Sequence, residues 1–170
     1  MAVLSSEGIL VNEPEWVEKL EKRAMGEKQG ENLVLSPEEA TYLLEKNENF
    51  EIKDSSGKTY SFEEIFRFFQ KKDKEFFRKY IVYKDLKDRG YCVKTGFKFG
   101  THFRVYARGD RPGQGHAIWL VHAVPENYVC KFTEISRAIR LAHNVRKKLL
   151  FGVVDAEGSV TYYKLEWVTL

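Results

Sequence analysis

The chain has 170 residues, 43% of them hydrophobic, with 28 Lys/Arg against 25 Asp/Glu. That is enough to bury one substantial core or two small ones, and the apolar content excludes general disorder. The net charge of +3 hides an imbalance, because residues 91–170 carry +6 and residues 1–90 carry −3, the pattern of a polyanion-binding module beside a scaffold.

No apolar run reaches the length of a membrane span, and the first residues lack the basic and apolar regions of a secretory signal. An intracellular, cytoplasmic protein with no membrane partner is expected. Cys92 and Cys130 are isolated, which excludes a disulfide framework and a Cys-x-x-Cys zinc site, and both are expected to be buried thiols. Abundant Lys and Glu with few Gln and Cys point towards a thermophile.

In chain order, Gly8–Val11 is predicted as a strand. Asn12 is expected to cap a helix with Pro14 in its first turn, running through Trp16, Val17 and Leu20. Gly26 to Gly30 is predicted as a loop and Asn32–Leu35 as a second strand. Ser36-Pro37-Glu38-Glu39 is a helix start in which a Ser cap, a Pro in the first turn and two acids agree, and the helix turns Ala40, Leu43 and Leu44 inward. Phe50–Ile52 and Thr59-Tyr60 flank a turn and predict a hairpin. Ser61-Phe62-Glu63-Glu64 is a capping box opening another helix. A long helix with Phe76, Phe77, Tyr80, Ile81 and Leu86 at helical spacing ends at Gly90.

Further on, Cys92–Lys94 and Phe103–Tyr106 are predicted strands, 107–115 a loop, and Ala117–Val121 a strand buried on both faces. Thr133 is expected to cap a helix from Glu134 to about Lys147, with Ile135, Ala138, Ile139, Ala142 and Val145 inward. Leu149–Val154 is a strand, Asp155–Gly158 a tight turn, and Val160–Val168 the closing strand. The fold expected is α/β (α+β): a mixed α/β scaffold over 1–78 and a domain over 79–170 with a central mixed sheet flanked by helices.

Three side chains in the second half have the chemistry of a metal-free acid–base set. His116 follows a glycine-rich loop, and a histidine titrates near pH 6.5, within reach of proton donation at neutral pH. Tyr106 ends a strand; a free tyrosine is a poor base at pH 7 and needs a nearby cation, for which Lys147 is a candidate. Arg137, Arg140, Asn144 and Lys147 share one helical stripe, and no acid occurs from Arg137 through Arg146, Lys147 and Lys148, which favours phosphate binding over an ordinary solvated face. His122 and His143 read as structural. The four histidines have no ligand spacing, so no metal site and no cofactor are expected. Taken singly, each of the three is an ordinary loop, rim or helix residue.

Gly96-Phe97-Lys98-Phe99-Gly100-x-x-Phe103-Arg104-Val105-Tyr106, His116-Ala117-x-Trp119-Leu120-Val121 and Arg137-x-x-Arg140-Leu141-Ala142-His143-Asn144-Val145-Arg146-Lys147-Lys148, with the preceding 83–94 stretch, resemble the archaeal tRNA-splicing endonuclease family. The likeness is strong from about Tyr80 onward and weaker over the first 75 residues. It implies a metal-independent ribonuclease in which Tyr106 is general base on a 2′-hydroxyl, His116 protonates the leaving 5′-oxygen and Lys147 stabilises the phosphorane. The implied substrate is precursor tRNA with a bulge–helix–bulge, cut to a 2′,3′-cyclic phosphate and a 5′-hydroxyl. The resemblance also implies that Arg140 and Trp167 hold a flipped base between two subunits. Asp155 and Glu157 would form an acidic loop that enters a neighbouring subunit, and the closing strand would pair across a two-fold axis. No counterpart to the basic N-terminal insertion of some catalytic subunits is visible, which favours a homotetramer, a dimer of dimers. His102 stands where many members have an acid.

Two other readings stand beside this one. A structural subunit of a heterotetramer would have no chemical need of all three side chains. A general RNA-binding protein would use the basic stripe without chemistry.

Overall fold

The computed structural model describes residues 1–5, 8–47 and 49–170. Two compact units divide the chain, Met1–Tyr80 and Ile81–Leu170.

The first unit is a six-stranded sheet of order β3-β4-β2-β1-β5-β6 with helices packed on it. Its strands are β1 (Ala2–Ser5), β2 (Gly8–Val11), β3 (Glu27–Gln29), β4 (Asn32–Leu35), β5 (Ile52–Lys53) and β6 (Thr59–Tyr60). Two of these were not expected: β1, which pairs parallel with β5, and β3, an exposed edge strand inside the predicted Gly26–Gly30 loop. The first helix, α1 (Pro14–Lys22), has Glu13 rather than Asn12 at its N-cap, with no side-chain cap bond. Both α2 (Pro37–Lys46) and α3 (Phe62–Lys72) begin with reciprocal capping boxes, Ser61 with Glu64 as expected and Ser36 with Glu39 where a Ser cap alone was expected. Glu39 also accepts from the Gly26 N–H at 2.9 Å, tying the helix start to the preceding loop. Ala40 and Leu43 are buried, whereas Leu44 is half-buried.

The helix α4 (Phe76–Asp88) contains the boundary between the units. Phe76 and Tyr80 are buried in the first unit, while Phe77 is exposed and Ile81 half-buried, so the aromatic stripe is narrower than predicted. Gly90, at φ +90°, closes the helix, with Gly90 N–H donating to Lys87 O and Tyr91 N–H to Leu86 O.

The second unit holds a five-stranded mixed sheet of order β11-β10-β9-β8-β7. The strands are β7 (Cys92–Thr95), β8 (Phe103–Tyr106), β9 (Trp119–Pro125), β10 (Lys148–Val154) and β11 (Val160–Leu165). All pairs are antiparallel except β9–β10, which is joined by the crossover helix α5 (Phe132–Asn144). Tyr83 of α4 meets Phe103, Val82 meets Gly152, and Tyr162 donates to Asp85 at 2.7 Å, so α4 covers one sheet face. The other face carries α5, whose Ala142 packs on Leu120 and Leu149.

Several boundaries differ from the sequence reading. β9 starts at Trp119, leaving Ala117 and Ile118 in the preceding segment, with Ile118 exposed rather than buried. Thr133 lies inside α5, whose N-cap is Lys131, and of the expected inward residues only Ala142 is fully buried. β11 ends at Leu165, three residues short of the predicted closing strand. Cys92 is buried as expected but Cys130 is only half-buried.

Candidate active site

Three strand ends meet at one edge of the second sheet. Val105 of β8, Trp119 of β9 and Lys148 of β10 form one transverse row. Tyr106 is the residue after this row on β8, and Lys147 is the residue before it on β10. His116 lies three positions before β9. The antiparallel β8 must end where β9 begins, and the parallel β10 must begin where β9 does, so topology gathers three remote residues. Backbone bonds fix the assembly. Ile118 N–H donates to Val105 O at 2.9 Å, Lys148 N–H donates to Ile118 O at 2.9 Å, and the Lys147 Nζ donates to Ala117 O at 2.8 Å.

Lys147 reaches that position because α5 ends earlier than its periodicity predicts. The chain leaves the helix at Val145, and Arg146 takes the left-handed conformation at φ +58°. Arg146 N–H donates to His143 O at 3.0 Å and Lys147 N–H to Ala142 O at 2.8 Å, the paired bonds of a Schellman ending. Lys147 is therefore not on the stripe of Arg137, Arg140 and Asn144; the turn points it back to the sheet edge. Burial pulls its ammonium below the usual lysine range, and the charges of Arg104 and Lys98 add to that effect. Its Nζ also lies 5.5 Å from the centroid of the Phe99 ring.

The Gly96–Gly100 turn supplies both Lys98 and Phe99. A side chain at Gly96 would come within 2.2 Å of Thr101 Oγ1 and 2.8 Å of the Phe103 carbonyl carbon, so this turn closes only around glycine. His116 is exposed. Just before it, Gly115 lets the backbone pass Asp110, whose Cγ would lie 3.1 Å from a Cβ there.

Tyr106 is buried, and the contact that the sequence reading missed is made by Arg104. Arg104 Nε–H donates to the Tyr106 hydroxyl oxygen at 3.2 Å, and its Nη1 donates to Thr95 O at 2.9 Å. The cation found against the phenol is thus Arg104, not Lys147. The two-residue period of a strand places Arg104 and Tyr106 on one face, which was the available signal. Arg104 pairs in register with Leu120 and Leu120 with Leu149, so this is the face that α5 covers.

The expected RNA-contacting residues separate into groups. Asn144, Arg146, Lys148 and Trp167 line one open groove of about 750 Å³ with Lys147 and Lys164. Trp167, about half exposed, packs against His143 at a tilt of 44°, with ring centroids 4.3 Å apart. Arg137 lines a different groove, of about 370 Å³, with Phe99, His122, Tyr128 and Phe151. Arg140 is exposed on α5. Asp155 and Glu157 lie in the β10–β11 turn, at the far end of β10 from Lys147. The Asp155 carboxylate accepts from the Glu157 and Ser159 N–H groups, which leaves the Glu157 side chain outward. His102 Nδ1 accepts from the Ala123 N–H at 2.9 Å, so this histidine is tied to the middle of β9. Among the described residues no group of three or more His, Cys, Asp or Glu converges as a metal-ligand set. No described helix is long and apolar enough to cross a membrane.

Comparison with known proteins settles the class of this chain. Residues 76–162 match the tRNA intron endonuclease catalytic C-terminal domain, and residues 1–66 match the N-terminal domain of the same enzymes. The chain belongs to the tRNA intron endonuclease family and is an endonuclease.

Among individual relatives, the tRNA-splicing endonuclease of Thermococcus onnurineus is 48% identical over 86% of this chain and 83% of its own length. That of Pyrococcus furiosus is 47% identical over 85% and 82%. That of Methanococcus maripaludis is 38% identical over 99% and 94%, so the likeness extends through the first unit as well.

Proposed function

We propose that this endonuclease excises introns from precursor tRNA at bulge–helix–bulge junctions, without a metal, using Tyr106, His116 and Lys147. The single observation that supports this reading most is the meeting of these residues at one edge of three adjacent strands, beside the clustered cations Arg104, Lys98 and Lys147. Such a cluster is unfavourable alone and favourable around a phosphate. Tyr106 takes the 2′-hydroxyl proton, and the 2′-oxygen attacks phosphorus. The 5′-oxygen leaves with a proton from His116, while Lys147 neutralises the phosphorane. The products are a 2′,3′-cyclic phosphate and a 5′-hydroxyl. Both proton transfers are handled by side chains, so the reaction has no step that requires a metal-activated water.

In this reading 79–170 is the nuclease domain and 1–78 the scaffold. The groove holding Asn144, Arg146, Lys148 and Trp167 follows the RNA backbone, with Arg137 a second basic contact. Arg140 of one subunit and Trp167 of another hold a flipped base, a shape-based mode of recognition indifferent to base identity. Asp155 and Glu157 enter a neighbouring subunit of a homotetramer.

The test is cleavage of a bulge–helix–bulge RNA with end-group analysis. His116→Ala should abolish cleavage and leave binding intact in a gel shift, and wild-type activity should survive EDTA. Full activity in His116→Ala, or strict dependence on added magnesium, would overturn the mechanism. Light scattering should give four chains per particle; a monomer would overturn the assembly.

A further inference from the structure

We propose that Arg104 is a positioning residue for Tyr106, holding the phenol oxygen in place and pairing with the phenoxide once the proton has been lost. This rests on the reading of Tyr106 as the base. The Arg104 side chain is half-buried and tied at two points. Nη1 is anchored on Thr95 O, and the separate Nε–H is directed at the Tyr106 oxygen. Because the guanidinium donates, that oxygen is an acceptor in this contact, and the phenol's own hydrogen must point elsewhere. A guanidinium is always charged and its fork serves two acceptors at once; a lysine ammonium would have to choose a geometry.

The other groups around the pair do not replace it. Lys94 stands opposite Arg104 in register on β7, and Cys92 stands opposite Tyr106. Lys147 is bonded to Ala117 O, and Lys98 comes from the turn after β7. His116 and Asp110 belong to the segment after Tyr106. Of these, only Arg104 has a hydrogen bond to the phenol among the contacts described.

The consequence for rate has a definite sign. The reaction needs tyrosine deprotonated and histidine protonated, whereas free tyrosine titrates near pH 10 and free histidine near 6.5. The working form is then a minor one, and the rate runs level between a lower limb set by the histidine and an upper limb set by the phenol. Removing a cation that pairs with the phenoxide moves the upper limb to higher pH and lowers the plateau by the same factor. An opposite charge at this range is worth roughly one to three units, so the conservative expectation is about one unit and about tenfold.

The experiment compares the wild-type chain, Tyr106→Phe, Arg104→Met, Arg104→Gln and Arg104→Lys in cleavage of a bulge–helix–bulge RNA across a pH series, with thermal unfolding of each. In Arg104→Met the upper limb should move up by about one unit and the plateau kcat should fall about tenfold, with KM within about twofold. Arg104→Gln, which keeps a donor but no charge, should behave alike and serves if the methionine variant does not fold. Arg104→Lys should recover much of the limb position. Ultraviolet titration of tyrosinate, wild type minus Tyr106→Phe, should show the same upward displacement without substrate. If Tyr106→Phe is inactive while both neutral Arg104 variants keep the wild-type limb and plateau, the inference about Arg104 is overturned and the base assignment stands. A loss confined to KM would likewise overturn it, marking Arg104 as a phosphate contact. If Tyr106→Phe cleaves at the wild-type rate, the assignment of the base fails, and this inference with it.

Discussion

Replacing Arg146 with glycine separates what the fold needs at this position from what RNA needs. Arg146 is held at φ +58° by the two bonds that close α5, and its side chain is exposed. An L-residue in this region costs roughly 1–2 kcal/mol, of which glycine is free. Glycine in turn loses about 0.5–1 kcal/mol more backbone entropy on folding than a residue with a Cβ. The difference predicts that Arg146→Gly stabilises the second unit by about 0.5–1 kcal/mol, or roughly 2–8 °C in the midpoint of its thermal transition. Arg146→Ala keeps the strain and should show no such gain. Both variants lose one cation from the groove beside Lys148 and Lys164, so both should bind precursor RNA more weakly, with a log-affinity dependence on log salt shallower by about one. Differential scanning calorimetry and filter binding at several salt concentrations measure the two effects. If Arg146→Gly melts lower than Arg146→Ala, the account of the helix ending is wrong. If the salt slopes are unchanged, Arg146 is not a phosphate contact.

Lys147→Met removes a partly desolvated ammonium that Arg104 and Lys98 repel. Stability should stay within about 1 kcal/mol of wild type, while cleavage falls about a hundredfold or more; wild-type cleavage would contradict the role assigned to it. Gly96→Ala must push Thr101 and the Phe103 backbone aside. It should cost about 2–3 kcal/mol in chemical denaturation and lower cleavage as well, because the same turn carries Phe99 to Lys147. Glu38 is buried, and desolvation raises its carboxyl above the usual glutamate range, so its ionisation opposes folding. Its contribution is most favourable below the unfolded value, near pH 4, and is lost as pH rises through the folded value. Glu38→Gln should accordingly be more stable than wild type at pH 7 and lose that advantage at about pH 4 and below. Equal urea midpoints at both pH values would contradict the direction.

The signals that read correctly were those whose physics is local. The Ser36 cap, the Ser61 capping box and the glycine ending at Gly90 each involve a few consecutive residues. β1 escaped, although it pairs antiparallel with the neighbouring β2, because Ala2-Val3-Leu4-Ser5 is only four residues long and shows no alternation of apolar and polar side chains, and β3 because Glu27-Lys28-Gln29 is polar on both faces. The end of α5 was misplaced since its apolar spacing continues past Asn144 while the chain turns at an arginine, with no glycine to announce it. Thr133 looked a better cap than Lys131 by residue type alone. Tyr106, His116 and Lys147 were assembled through family likeness; composition and spacing give no distance between strand ends that meet only through a crossover. Arg104 was within reach of the strand's two-residue period.

The parallel pairing of β9 with β10 also governs when this protein becomes dangerous to RNA. A hairpin sets its own register within a few residues, but β9 and β10 are parallel neighbours separated in the chain by the whole of α5. Such remote pairings are slow steps in folding, since chain entropy is lost before any contact repays it. Lys147 cannot meet the segment of His116 until that alignment is complete. A chain still emerging from the ribosome, or one trapped half-folded, would hold every residue of the set and none of its geometry. In the proposed mechanism, catalytic competence is therefore tied to completed pairing of β9 with β10.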